Sequence, residues 1–494
     1  MSTSSYWEER FKLNKSVSIP TVMKTFEDTG RVRALTNELE DGEKQHIFWE
    51  SDLAKWSEAV FLHLQKEEDP ELMQFVNSVI EKIINNQERD GYLNSYFRFY
   101  EPENKFTNLK VRHELYCAGH LLESALEHLK INPNSKFFAA IEKYIDHIAE
   151  VFGTEEGQKR GYPGHQEIEL ALLKTYEYTK KDKFLKLAGY FLEERGKQPH
   201  YFELEDQERA AKEKSIDYSE FPSEVRDFVS QHMSGLKRND HTYCQAHQPA
   251  YQQKTAEGHS VRALYMFTAM ADYARLTNDL DKIKACKTIW GNITNRRMYI
   301  HGGVGSAHIG ERFSFDYDLP NDMAYAETCA SIALIFFTER LMRIERSSEY
   351  ADIIEKALYN VILASTSVDG KAFFYDNYLE CIPEFLKYQH RRHGIRDRYH
   401  TCSCCPPNIL RIIADIERYI FAQAEDGIEI NQYITSNKEF ALNEGLCSIT
   451  IDSEMPWGGR NLITVSSNTE LPVKIFFRIN IINIFKRYFR TLKN

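Results

Sequence analysis

Between residues 45 and 366 the apolar positions recur with a period of about 3.6, in stripes that come in pairs. Short polar turns rich in Asp, Asn or Ser join the members of each pair. "LHLQKEEDPELMQFVNSVIEKI", "LEHLKINPNSKFFAAIEKYIDHI", "YEYTKKDKFLKLAGYFLEE", "ARLTNDLDKIKACKTIWGNI" and "MRIERSSEYADIIEKALYNVI" are five such helical hairpins. Hairpins repeated in this way stack as an open solenoid or close into an (α/α) toroid. The segments between them favour closure. "VRHELYCAGH", "RGYPGHQEIEL", "HTYCQAHQPAYQQKTAEGHSVRALY" and "HGGVGSAHIGERFSFDYDLPN" hold the histidines, glycines and acids, and a closed barrel would gather them at one end.

After about residue 425 the pattern changes to alternation with period two in "GIEINQYI", "LCSITID", "NLITVSS" and "PVKIFFRI", separated by Gly, Asn and Ser turns. This predicts antiparallel strands. The expected fold is therefore mainly α: a catalytic barrel of helical hairpins over residues 1–424, followed over 425–494 by a short, truncated portion of a β-sandwich. Its last stretch, "NIINIFKRYFRTLKN", turns basic.

Composition narrows the function. With 494 residues, 42% hydrophobic and 27% charged, the chain is globular and can bury a large core. The net charge of −11 argues against a nucleic-acid partner, which would need a basic face. "MSTSSYWEERFKLNKS" lacks the apolar core of a signal peptide and no run of 18 apolar residues occurs, so a cytoplasmic chain without a membrane segment is expected. Nine cysteines do not make a disulfide framework; in a reducing compartment clustered thiols read as metal ligands or reactive groups.

The clustering is sharpest in "TCSCCPPN", which places Cys402, Cys404 and Cys405 just before Pro406 and Pro407. Prolines suit a first helical turn, and "NILRIIADIERYIFAQ" continues as an amphipathic helix, so Cys404 and Cys405 sit where the helix macrodipole favours thiolate. With Glu327 and Cys329 of "YAETCAS" they offer three thiolates and a carboxylate, a donor set that suits four-coordinate zinc. Taken singly, Cys329 reads as a core cysteine and Glu327 as a solvated charge on a helix beginning near Asp322; the vicinal thiols tip the balance. Cys402 has no assigned role. Glu311 in "GERF" follows a glycine-rich loop with His301 and His308 nearby. His113, His120, His165, His247 and His259, together with Tyr116, Tyr162, Tyr251 and Tyr375, have the makings of a sugar pocket.

The motifs "TGR", "DGYLNSYF", "HELYCAGH", "GYPGHQEIELAL", "AEGHSVRALY", "GERFSFDYDLPN", "YAETCASIA", "EKALYN", "DGKAFFY" and "CCPPN", in this order, resemble glycoside hydrolase family 127, the β-L-arabinofuranosidases. The resemblance implies an (α/α)6 barrel followed by β-sandwich structure, and a retaining glycosidase with a zinc-bound cysteine nucleophile. It puts the nucleophile on Cys404, the acid/base on Glu311, the zinc ligands on Glu327, Cys329, Cys404 and Cys405, and substrate contacts on His113, His165, His259 and Tyr375. The expected partner is a small saccharide, and a homodimer is admissible. Two other readings are a sugar isomerase or epimerase on the same toroid and a non-catalytic, zinc-stabilised saccharide-binding protein.

Overall fold

A computed structural model describes residues 5–40, 43, 45–212, 240–384, 394–442, 445–469 and 472–479. The basic stretch at 480–494 lies outside the described residues. Each predicted hairpin is present. Helices α3 (Trp49–Leu64) and α4 (Pro70–Ile84), α5 (Glu114–Ile131) and α6 (Lys136–Val151), α7 (Ile168–Thr179) and α8 (Asp182–Glu194), α9 (Ser260–Leu276) and α10 (Leu280–Arg296), and α11 (Thr328–Met342) and α12 (Ser348–Ala357) form five pairs. A sixth pair joins the two ends of this region: α13 (Cys405–Ala414) packs against α1 (Tyr6–Leu13) and α2 (Ile19–Asp28). The helices α3, α5, α7, α9, α11 and α13 pack in that cyclic order, with α13 returning to α3, so the ring closes as an (α/α)6 toroid.

The polar turns of the sequence act as caps. Asp69, Ser135, Asp279 and Ser347 accept backbone N–H bonds at the starts of α4, α6, α10 and α12, satisfying donors that a helix end leaves free. These outer helices bury one stripe each, such as Val76, Val79, Ile80 and Ile83 on α4. The inner helices are buried all round. Along α3, Glu50, Asp52, Lys55 and Glu58 are as inaccessible as Leu53 and Phe61. Charged side chains therefore line the barrel's interior.

The helix that begins at Cys405 ends at Ala414, short of the predicted extent, and Phe421–Ala424 is strand β1. It pairs antiparallel with β2 (Gly427–Ile430), on whose other edge β6 (Ile475–Phe477) runs parallel. The expectation of wholly antiparallel pairing fails at that edge. Alternation reports which face a residue takes, not the direction of its neighbour. A second sheet is an antiparallel meander of β3 (Ser436–Leu442), β4 (Gly445–Ser453) and β5 (Asn461–Ser467). Among the described residues no helix is long and apolar enough to cross a membrane.

Candidate active site

Four of the six inner helices begin with a residue singled out from the sequence. His113 is the N-cap of α5, His259 of α9, Glu327 of α11 and Cys404 of α13, while His165 lies three residues before α7. The helix starting at Thr328 is shorter than the one expected from Asp322, which turns Glu327 from a mid-helix charge into a cap residue. The ring thus collects the positive ends of its inner helices, and free N–H groups with them, around one cleft. Such an environment favours anions.

The donor atoms of Glu327, Cys329, Cys404 and Cys405 all lie within 4.8 Å of one another, and the set could hold a metal ion. Cys404 Sγ and Cys405 Sγ each stand 3.7 Å from Glu327 Oε1, Cys329 Sγ is 3.3 Å from Cys405 Sγ, and the vicinal sulfurs are 3.8 Å apart. Glu327 Oε2 is buried with no hydrogen-bond partner. Burial, then the charges of Glu311 and Cys404, drive the Glu327 carboxyl well above the usual carboxylate range. Burial also pushes the Cys329 thiol up, but hydrogen bonds from Cys404 and Cys405 outweigh it and bring Cys329 down to about 6. Without a cation these groups cannot all be ionised; a donor set this concentrated suits one.

Tyr375 links this cluster to the acid. Its hydroxyl is 3.3 Å from Cys404 Sγ and 3.1 Å from Glu311 Oε1, and 3.6 Å from Cys402 Sγ. Tyr325, which the sequence reading passed over although it stands two positions before Glu327, donates to the same Oε1 at 2.5 Å. His259 Nδ1 accepts the Val261 N–H at 3.2 Å, which leaves Nε2 protonated and donating to Glu311 Oε2 at 2.9 Å. Glu311 itself has φ +50°, in the left-handed region, and its carbonyl accepts from both the amide and hydroxyl of Ser260. His113 and His165 donate from Nδ1 to the Val111 and Gln166 carbonyls, so each keeps Nε2 as an acceptor. Burial holds both imidazoles well below the ordinary range, hence neutral. Their rings stand 5.4 Å apart, and His165 and His259 are 5.5 Å apart.

The structure thus brings together all nine candidates: His113, His165, His259, Glu311, Glu327, Cys329, Tyr375, Cys404 and Cys405. The wider list divides. Tyr116 joins the cleft with its ring 4.3 Å from that of His165, and His120 lies inside α5, fully buried. Tyr162 packs on Phe202 and Arg195, and Tyr251 bonds the Met270 carbonyl, so both belong to the packing between helices.

A closed ring of helix pairs with a thiol and carboxylate centre at the mouth of its lumen defines an α/α-toroid enzyme. Residues 2–418 match the family described as "Beta-L-arabinofuranosidase, GH127 catalytic domain", and the chain belongs to that family. It is a glycosidase. The chain is 36% identical over 459 residues to the non-reducing end β-L-arabinofuranosidase of Bifidobacterium longum subsp. longum, covering 91% of this chain and 67% of that protein. Its fold superposes with a TM-score of 0.86 on a GH127 β-L-arabinofuranosidase from Geobacillus stearothermophilus T6, at 40% identity over 94% of this chain and 72% of that one. A second solved GH127 β-arabinofuranosidase gives a TM-score of 0.79 at 30% identity, with 94% and 68% covered.

Proposed function

We propose that the protein releases L-arabinofuranose from the non-reducing ends of β-L-arabinofuranosides with retention of configuration, using Cys404 as nucleophile and Glu311 as acid and base. The observation that carries this reading is the Tyr375 hydroxyl bridging Cys404 Sγ and Glu311 Oε1. Two bonds of that length keep sulfur and carboxylate closer than the roughly 6.5–9.5 Å that an inverting pair needs to seat a water between them. The specificity is supported by the names of the relatives above.

Glu327, Cys329, Cys404 and Cys405 would hold zinc. Sulfurs on a tetrahedral ion with bonds of about 2.3 Å stand about 3.8 Å apart, and the observed spacings of 3.3 to 3.8 Å fit. Zinc, when bound, supplies the positive charge that lets these donors be anionic together in a buried place. In the first half-reaction Cys404 attacks C1 while Glu311 gives its proton to the departing oxygen. In the second, Glu311 takes a proton from water, the water oxygen bonds to C1, and the C1–S electron pair returns to Cys404. Tyr375 can turn its O–H toward whichever neighbour carries the charge. Neutral His113 and His165 offer Nε2 to sugar hydroxyls.

The test is aryl release from an aryl β-L-arabinofuranoside, with zinc content measured before and after chelation. Release that stops when zinc is removed and resumes on its return is expected. A zinc-loaded protein that releases no aryl group, or a zinc-free one that releases it at the full rate, would sink the proposal.

A further inference from the structure

Lys55 is a fully buried ammonium that none of the steps above uses. It sits halfway along α3, with no measurable exposure, and its Nζ is 3.0 Å from the Tyr116 hydroxyl and 3.4 Å from the Cys404 carbonyl oxygen. Among the described residues no carboxylate comes within 4 Å of it. Asp52, one turn earlier on the same helix, is taken by Arg31 at 3.0 Å. A buried cation without a carboxylate is rarely retained, because its desolvation is uncompensated. The groups whose charges bear most on Lys55 are Asp52, Cys404, Cys329 and Arg411. Two of them are sulfurs of the site.

Counting the site gives the reason. One carboxylate and three thiolates around a divalent ion leave a double negative charge, which in a buried place calls for a further cation. The same segment is held a second time, since Arg31 donates to the Thr401 carbonyl at 3.0 Å. Arg31 has its own acid and Lys55 does not.

We infer that Lys55 is a positioning residue that fixes Cys404 through its carbonyl and supplies the standing positive charge against which Cys404 sulfur departs when the sugar is released. This rests on the proposed role of Cys404. The sulfur is charged in the free enzyme and neutral once bonded to C1. A fixed cation beside it therefore favours the free thiolate over the glycosyl-enzyme, and acts most on the second half-reaction, in which water oxygen joins C1, Glu311 receives the proton and the C1–S pair returns to sulfur.

The experiment compares Lys55→Met and Lys55→Arg with the parent on an activated aryl β-L-arabinofuranoside. It measures kcat and KM, zinc per chain, and the fraction of protein carrying a sugar on Cys404 after acid quench. Lys55→Met is expected to lower kcat at least about tenfold and KM by a similar factor, leaving kcat/KM within about threefold, with the adduct accumulating and zinc retained. Lys55→Arg keeps the charge and should recover most of kcat. Loss of kcat/KM at unchanged KM, or unchanged kcat, overturns the role. If Lys55→Met does not fold, Tyr116→Phe removes one acceptor of Nζ and should give the same joint fall in kcat and KM on a smaller scale; a fall in kcat/KM instead overturns the proposal. A parent that turns over without any adduct, and whose Cys404→Ser variant stays active, counts against the nucleophile itself and not against Lys55 alone.

Discussion

Two clusters of buried acids share the interior of this barrel, and they are balanced in opposite ways. Deep in the lumen, Glu58, Glu123 and Glu127 surround Lys174 at 3.2, 3.3 and 3.1 Å, and Arg411 donates to Glu58 at 2.8 Å and to Glu123 at 2.5 Å. The adjoining cavity, lined by Glu58, Glu123, Lys174 and Arg411 among others, has about 20 Å³, room for one water. At the mouth, Glu327 and three cysteines face Glu311 with Lys55 as the near cation. The first cluster carries its counter-charges as side chains and serves as a brace between helices. The second has Lys55 beside four acidic donors, and the positive charge still missing is what an exchangeable ion can bring. Glu167 stands between the two, its carboxyl driven well up by burial and then by Glu123, and its Oε1 lies 3.2 Å from His120 Nδ1.

Breaking each cluster should give a different loss. Cys404→Ser is expected to reduce turnover by about a thousandfold or more while the thermal midpoint stays near that of the parent; a variant keeping a tenth of the activity would place both clusters in the same structural category. Arg411→Leu leaves Glu58, Glu123 and Glu127 to share Lys174 and should remove about 3–5 kcal/mol of stability in a urea titration, with zinc per folded chain unchanged. If unfolding is unaffected, the deep cluster is no brace. The smallest effect is on pH. Burial raises the Glu127 carboxyl, but Lys174 and Lys130 outweigh it and hold it at about 2. Because the unfolded chain then binds that proton first, its contribution is complete above pH of about 4.5 and is lost as pH falls from there toward 2. Glu127→Gln should flatten that acid limb by roughly 1–2 kcal/mol, read as thermal midpoints across the window; superimposable limbs would remove the effect.

The contrast also explains what could be read from the sequence. Outer helices such as α4 and α10 bury one stripe, and periodicity with capping Asp and Ser residues was enough to find them. The inner helices bury every side, so Lys55, Glu123 and Arg411 look like a solvated face until the ring closes. Gly119 makes the same point: a Cβ there would stand 1.6 Å from Glu167 Oε2, a demand set by the N-cap residue of the next inner helix. The site was legible where its chemistry is rare, in Cys404–Cys405 and in the family motifs. Tyr325 is a common residue in an unremarkable place, and only its bond to Glu311 reveals it.

The last inner helix, α13, leans on the first two helices of the chain, with Asn14 Nδ2 reaching the Leu410 carbonyl at 2.9 Å. During synthesis, residues 6–28 can first meet α3, where Trp56 Nε1 donates to the Ile19 carbonyl at 3.1 Å, but their second partner arrives only when position 414 has left the ribosome. Cys404 and Cys405 reach Cys329 only at that moment, so metal loading and ring completion are coupled late events, and a nascent chain stalled before them would carry an unguarded apolar seam for chaperones to cover.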